Sequence, residues 1–420
     1  MTAPVRGLGR SLGTVGVALL VATGLGTLLQ IVCARLLTPA EFTVFSGFWG
    51  VVFGFGAAVA PIEQEISRLS AHAALDGKPT GGQAVRTAVV GGVAVLAAGL
   101  VTLVPAVGDR LFSGDRWLGV VALAGGLGFA VQVALRGLLI GHDRIRPYGA
   151  IVVVEALARI LVVAALVVAG LTGVVPFAVA VACGSFAWLL FAAPAGRLVD
   201  RRADGEAWPV VVRRVLVLML GAALTASVLT GYPAMVNLLV GQGDDPALGA
   251  LFATVVVARF PLLLLSPVQT MAVPAVVRLS RDEEGRRRLR SLLLKGSAVA
   301  LAVAAAGGVV GWLVGPWAVR LVYGPDYVVQ PAAVAGLAWS SVLLGATLLL
   351  AAVLVARAQA NRVLLVWTVV AATSAFVLLL WPGAAVDRAV LGLVLAPTVG
   401  AAVALALVVH RSADVRPTAD

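Results

Sequence analysis

The chain has 420 residues, 61% of them hydrophobic and only 12% charged, with a mean hydropathy of +1.04. This is more apolar surface than a soluble core buries, so composition places the chain in a membrane. The net charge of +11 is gathered in clusters between apolar runs; it reads as topology with attraction to anionic lipid, and a nucleic-acid role is excluded.

Apolar runs of about 20 residues cross the hydrocarbon layer as helices, because only a helix satisfies its own backbone in lipid. Twelve such runs are expected in chain order, at 11–34, 43–66, 87–106, 117–140, 149–170, 173–195, 212–239, 247–273, 293–314, 334–356, 362–382 and 388–409. Membrane strands are shorter and alternate apolar with polar residues, which these runs do not. The first run follows Arg6 and Arg10 as a signal peptide would, but it is too long and has no clear A-x-A site, so it is read as a retained helix. The fold class expected is an all-α integral membrane protein of two parallel six-helix lobes.

Charge orients the stack. With both termini in the cytoplasm, 24 of the 31 Lys and Arg fall on cytoplasmic segments and 5 outside, the asymmetry expected of short loops. A cytoplasmic-membrane location follows. Cys33 and Cys183 lie in or near apolar runs, and His72, His142 and His410 fall at loops or ends; none forms a disulfide framework, a metal set or a cofactor site.

The phrase "RLFSGDRW" at 110–117 returns as "RLVYGPDY" at 320–327. Phe45 matches Phe252, Pro61 matches Pro267, and "RLS" at 68–70 matches "RLS" at 278–280. Six helices followed by six keep the same direction, so the halves are parallel repeats about an axis along the membrane normal. The lobes are therefore expected at 1–205 and 206–420, with the polar connector from Arg197 to Arg214 as a hinge. Gly114 and Gly324 suit tight turns, and Trp117 and Tyr327 suit interfacial anchors.

The twelve runs in two parallel halves, "LLTPAEFTVFSGFW" between helices one and two, and "GPWAVRLVYGPDYVVQPAAVAGLAW" leading into helix ten resemble the polysaccharide-transporter (Wzx-like) branch of the multidrug, oligosaccharidyl-lipid and polysaccharide (MOP) exporter superfamily. The resemblance implies a V of two lobes around a cavity and alternating-access flipping of a polyprenyl-phosphate-linked saccharide across the lipid bilayer. It also implies work alongside a polysaccharide polymerase and glycosyltransferases.

Intramembrane ionisable residues are rare and face protein or water. Arg259 in "VVVARFPLLLL" has no carboxylate within helical reach, with Pro261 two residues on; its guanidinium suits a phosphate, or a carbonyl or carboxylate of another helix. Glu155 and Arg159 stand at i and i+4, either as cavity groups or as a self-neutralised pair. Glu63, Glu65 and Arg68 in "PIEQEISR" are candidates for a gate or for ion coupling, with Glu65 and Arg68 spaced as a salt bridge. Asn237 and Gln30 are candidates to read sugar hydroxyls, while Gln132 and Gln269 are weaker signals of amides that join helices. Gly50 with Gly54 and Gly311 with Gly315 mark close helix packing, and "RLSRDEEGRRRLRSLLLK" reads as a surface helix at the headgroups. A cation exporter of the same superfamily is the alternative; it needs an unpaired buried carboxylate, and helices one and seven carry none. A transport-inactive scaffold of envelope assembly is a second alternative. A catalytic role is not expected: the outer Asp residues are scattered and make no constellation.

Overall fold

The computed structural model describes residues 6–76, 78–200, 207–241, 244–259, 262, 276, 279 and 283–410. It is all helical. Eleven helices among the described residues are long and apolar enough to cross a membrane. The eighth expected run, 247–273, is seen as a shorter helix, Pro246–Ala258; most of its continuation, with Pro261, Pro267 and Gln269, lies outside the described residues.

Two compact units divide the chain, Met1–Pro246 and Ala247–Asp420. The sequence repeat divides instead near 205, because the seventh expected run is built here as two helices that pack on the first unit's α2 and α3.

The first unit contains α1 (Arg6–Leu36), α2 (Pro39–Leu75), α3 (Gly82–Val101), α4 (Pro105–Phe112), α5 (Arg116–Gly141) and α6 (Ile145–Val168). There follow α7 (Val174–Gly184), a 3-10 turn (Ala187–Phe191), the five-residue α8 (Ala192–Gly196), α9 (Trp208–Leu229) and α10 (Tyr232–Val240). Thr38 opens α2 with a capping box: its hydroxyl accepts from the Glu41 N–H while the Glu41 carboxylate accepts from the Thr38 N–H, and Pro39 sits in the first turn.

The 37-residue α2 is the spine of this unit. It runs alongside α5 in the same direction, and glycines of α5 bring the two helices close. A Cβ on Gly137 would stand 2.7 Å from the Glu63 carbonyl, one on Gly126 2.6 Å from the Phe55 ring, and one on Gly141 2.4 Å from Ser70 Cβ. Such small-residue seams are how helices associate where lipid supplies no hydrophobic drive. Of the expected pair on α2, a Cβ on Gly50 would stand 3.1 Å from Ala234 of α10, whereas one on Gly54 would face open space.

The second unit holds α11 (Pro246–Ala258, from Ala247 onward), α12 (Glu283–Tyr323), α13 (Pro331–Ala356), α14 (Ala360–Leu380) and α15 (Ala385–His410). Here the Gly311 and Gly315 pair does make a close seam: a Cβ on Gly311 would lie 3.1 Å from the Val334 carbonyl, and one on Gly315 would run into the Val334 side chain of α13. The expected surface helix is not separate, since 283–295 form the first turns of the 41-residue α12; Arg, Leu and Lys propagate a helix and nothing there breaks it.

The repeated phrase gives two different turns. Before the first copy the chain breaks at Thr102–Val104 and restarts as α4 at Pro105, whereas Pro316 sits inside the continuous α12. Both turns use left-handed glycine, Gly114 at φ 84° and Gly324 at φ 113°. Trp117 is 69% exposed, as an interfacial anchor would be, but Tyr327 is 2% exposed with its ring 5.6 Å from that of Tyr323. Tyr327 is therefore an internal packing residue, and its expected anchor role is corrected.

Candidate functional site: charged groups inside the first unit

Three helices of the first unit carry a ladder of polar side chains. On α6, Glu155 and Arg159 are 8% and 6% exposed, and their i, i+4 spacing closes an ion pair of 2.6 Å. Gln132, fully buried on α5, donates its amide to the other Glu155 oxygen. The Arg159 Nε donates to the Val181 carbonyl of α7 at 3.0 Å, and the guanidinium lies over the rings of Phe53 (4.9 Å) and Phe129 (5.4 Å). A buried cation is stabilised by this combination of carboxylate, carbonyl and aromatic faces. The fit is close, since a Cβ on Gly184 would stand 2.5 Å from Arg159 Nε. The Oε1 of Gln132 has no partner among the described residues.

One turn along α5, Arg136 forms a 3.1 Å ion pair with Glu63 of α2. The Tyr148 hydroxyl of α6 donates to Glu63 at 2.9 Å and accepts from Arg136 at 3.3 Å. The Arg136 guanidinium also lies 5.3 Å from the Tyr148 ring centre. Toward the same end of α2, Glu65 takes a forked pair of bonds from Arg68 at 2.9 and 3.0 Å and lies 3.4 Å from Arg214 of α9. Beyond them, the buried Ser70 and Thr80 hydroxyls are 3.0 Å apart, and His142 Nε2 sits 2.8 Å from Thr80. Burial and the neighbouring Arg144 hold the His142 imidazole below its ordinary value.

The other sequence candidates lie elsewhere. Asn237 on α10 is fully buried, and its amide points toward the Thr43 and Leu111 carbonyls at 3.3 and 3.4 Å. Gly47 is the small residue that admits it, since a Cβ there would meet the amide nitrogen. Gln30 is half-buried on α1 and is not a partner of Glu155 or Arg159. Arg259 belongs to the second unit and is half-buried at the end of α11; its N–H donates to the Val255 carbonyl at 3.0 Å, and its own carbonyl accepts from Leu262 at 2.9 Å.

Sequence spacing reveals the Glu155–Arg159 and Glu65–Arg68 pairs, since each lies on one helix. It does not reveal Arg136, Tyr148, Phe53 or Phe129, which reach the cluster from other helices. The one available signal is on α5: Gln132 and Arg136 are four residues apart and so share a face, matching the Glu155 and Tyr148 face of α6. Among the described residues no group of three or more His, Cys, Asp or Glu is placed to hold a metal ion.

No protein-family model matches the chain. It is 31% identical over 406 residues to the uncharacterized Mycobacterium tuberculosis protein Rv1510, covering 96% of this chain and 92% of that protein. It is 31% identical over 407 residues to the uncharacterized protein Rv3630 of the same organism, covering 94% and 91%. Among solved structures, it resembles an inward-facing multidrug resistance MATE family transporter of the MOP superfamily with a TM-score of 0.69 at 15% identity, over 92% of this chain and 94% of that one. It also resembles a Pyrococcus furiosus MOP superfamily transporter, described by the reverse polarity of its binding pocket, with a TM-score of 0.54 at 14% identity and 95% coverage of both chains. The fold is that of the MATE and MOP transporters.

Proposed function

We propose, for a chain that belongs to one family with the mycobacterial proteins Rv1510 and Rv3630 and has the MOP transporter fold, that it is a membrane transporter moving a polyprenyl-phosphate-linked saccharide from the inner to the outer leaflet. The polar head crosses between two lobes, 1–205 and 206–420, while the lipid tail stays in the bilayer.

The observation that carries this reading is the state of the carboxylates within the spans. Glu155 is bound by Arg159 and Gln132, and Glu63 by Arg136 and Tyr148. Exporting an organic cation calls for a carboxylate released to the cargo or to a coupling ion, and here Glu155, Glu63 and, on the same helix as Glu63, Glu65 are each already paired with arginine. A cargo with a phosphate calls for cations instead. Arg259 is assigned as the phosphate anchor, Glu155 and Arg159 as the accessory pair, Asn237 and Gln30 as sugar contacts, and Glu63, Glu65 and Arg68 as the gate at the cytoplasmic end. The polymerase and glycosyltransferases of envelope assembly are the partners that supply and consume such a cargo.

The multidrug function of the structural neighbour in the MATE family supports a second reading, ion-coupled export of cations. The two separate in proteoliposomes loaded with a fluorescent polyprenyl-pyrophosphate saccharide. The flippase reading expects leaflet exchange that falls at least tenfold in Arg259→Ala and partly returns in Arg259→Lys. Dye efflux coupled to a proton or sodium gradient, without saccharide exchange, would replace it with the second reading.

A further inference from the structure

A separate apolar groove lies on the first unit, in the stretch where α3, α5 and α8 approach one another. Its volume is about 500 Å³, and its walls include Ala84, Ala88 and Gly92 of α3, Ala130 and Ala134 of α5, and Trp188 of the 3-10 turn. The polar ladder does not line it. Small residues on both facing helices leave the space open: Gly92 has nothing within 4 Å of the place a Cβ would occupy. Val89 and Val131 at its edges are 46% and 44% exposed, so the groove opens toward the lipid-facing surface.

Its dimensions match one leaflet. The lining positions on α5 run from Leu127 to Leu138, about 16 Å at 1.5 Å per residue, close to half of a hydrocarbon core about 30 Å thick. One end reaches the helix termini at Ala84, Leu138, Gly196 and Val199, the level at which headgroups begin. On the segments closing that end, Lys78, Arg86 and Arg197 outnumber Asp76 and Asp200. Trp188 of the 3-10 turn stands in the groove's wall, while its indole Nε1 is buried out of reach of the open space.

We propose that this groove is a binding site for one chain of an anionic phospholipid of a single leaflet, its headgroup facing Lys78 and Arg197. The site is independent of the transport reading. It would hold a lipid that stays with the protein while bulk lipid exchanges.

The test uses the full chain in nanodiscs of phosphatidylcholine and phosphatidylglycerol, transferred to mild detergent and weighed by native mass spectrometry. The wild type should keep one phosphatidylglycerol under conditions that strip the rest. Gly92→Leu, whose side chain enters the groove, should lose that adduct at least tenfold, while Gly307→Leu, at an equally open position on α12, should keep it. Val89→Trp, at the groove's exposed edge, gives the same expectation should Gly92→Leu fail to fold. Full retention by the groove-filling variants would overturn the site, and equal retention of phosphatidylcholine would overturn the anionic headgroup.

Discussion

In the first unit α2, α5 and α6 meet through Glu63, Arg136, Tyr148, Gln132, Glu155 and Arg159, whereas the seams seen among the described residues of the second unit are made by small residues and hydroxyls. There Gly311 and Gly315 seat α12 on α13, Gly400 of α15 accepts Val370 of α14, and the Trp339 indole donates to Thr398 at 3.1 Å. At the ends of the same helices, Arg357 and Arg362 donate to the Val408 and Leu407 carbonyls at 2.9 and 3.2 Å. Glycine seams tolerate a range of apolar neighbours, but a buried ion pair responds strongly to the loss of either member. The first unit thus carries ionisable chemistry inside its helices, while the described seams of the second rest on packing.

The largest expected effect follows from breaking the innermost pair. Glu155→Ala leaves Arg159 buried without its carboxylate, which destabilises by about 3–5 kcal/mol and should abolish transport. The double variant Glu155→Leu, Arg159→Met removes both charges and should recover most of the thermal stability measured in detergent, but not leaflet exchange. Recovery of both would reduce the pair to a structural device.

Next comes the seam of the second unit. Gly315→Leu drives a side chain into Val334 and should lower stability by about 1–3 kcal/mol, as overpacking does. Gly54→Leu, whose Cβ faces open space, should change the melting temperature little; equal losses would mean that the two glycines do not differ as their surroundings indicate.

Arg68 is 53% exposed in its pair with Glu65, so Arg68→Ala should alter stability by less than about 1 kcal/mol. A change in transport rate at unaltered stability would support the gate role proposed for it.

The smallest expected effect is that of His142. Its imidazole is held below its ordinary value, so the folded chain favours the neutral form. That contribution is fully present above about pH 6.5, the ordinary imidazole value, and is lost as pH falls through the depressed folded value. The melting temperature of the wild type should therefore fall more between neutral pH and about pH 5 than that of His142→Asn. Parallel curves would remove His142 from the stability of the α2, α3 and α5 ends.

Much of this architecture is legible in the sequence because hydropathy and helix length are local properties. The runs at 117–140 and 388–409 became α5 and α15 almost unchanged. The capping box at Thr38 and Glu41 and the glycine turns at 114 and 324 also follow from local chemistry. What was not legible depends on neighbours in space. Tyr327 looks like an interfacial aromatic until the fold places it beside Tyr323. Arg136 reads as a loop-side cation until α2 supplies Glu63 and α6 supplies Tyr148. Periodicity likewise does not show that 212–239 divides at Thr230–Gly231 into α9 and α10, or that both helices pack with the first unit.

The most direct test of the central claim is mass spectrometry of lipid-linked saccharides in cells lacking this chain. An impermeant glycan-binding reagent applied to intact spheroplasts scores the leaflet. The account predicts that one lipid-linked species accumulates on the cytoplasmic leaflet and that the wild type, but not Arg259→Ala, returns it to the outer leaflet. An unchanged pool with unchanged sidedness would contradict it.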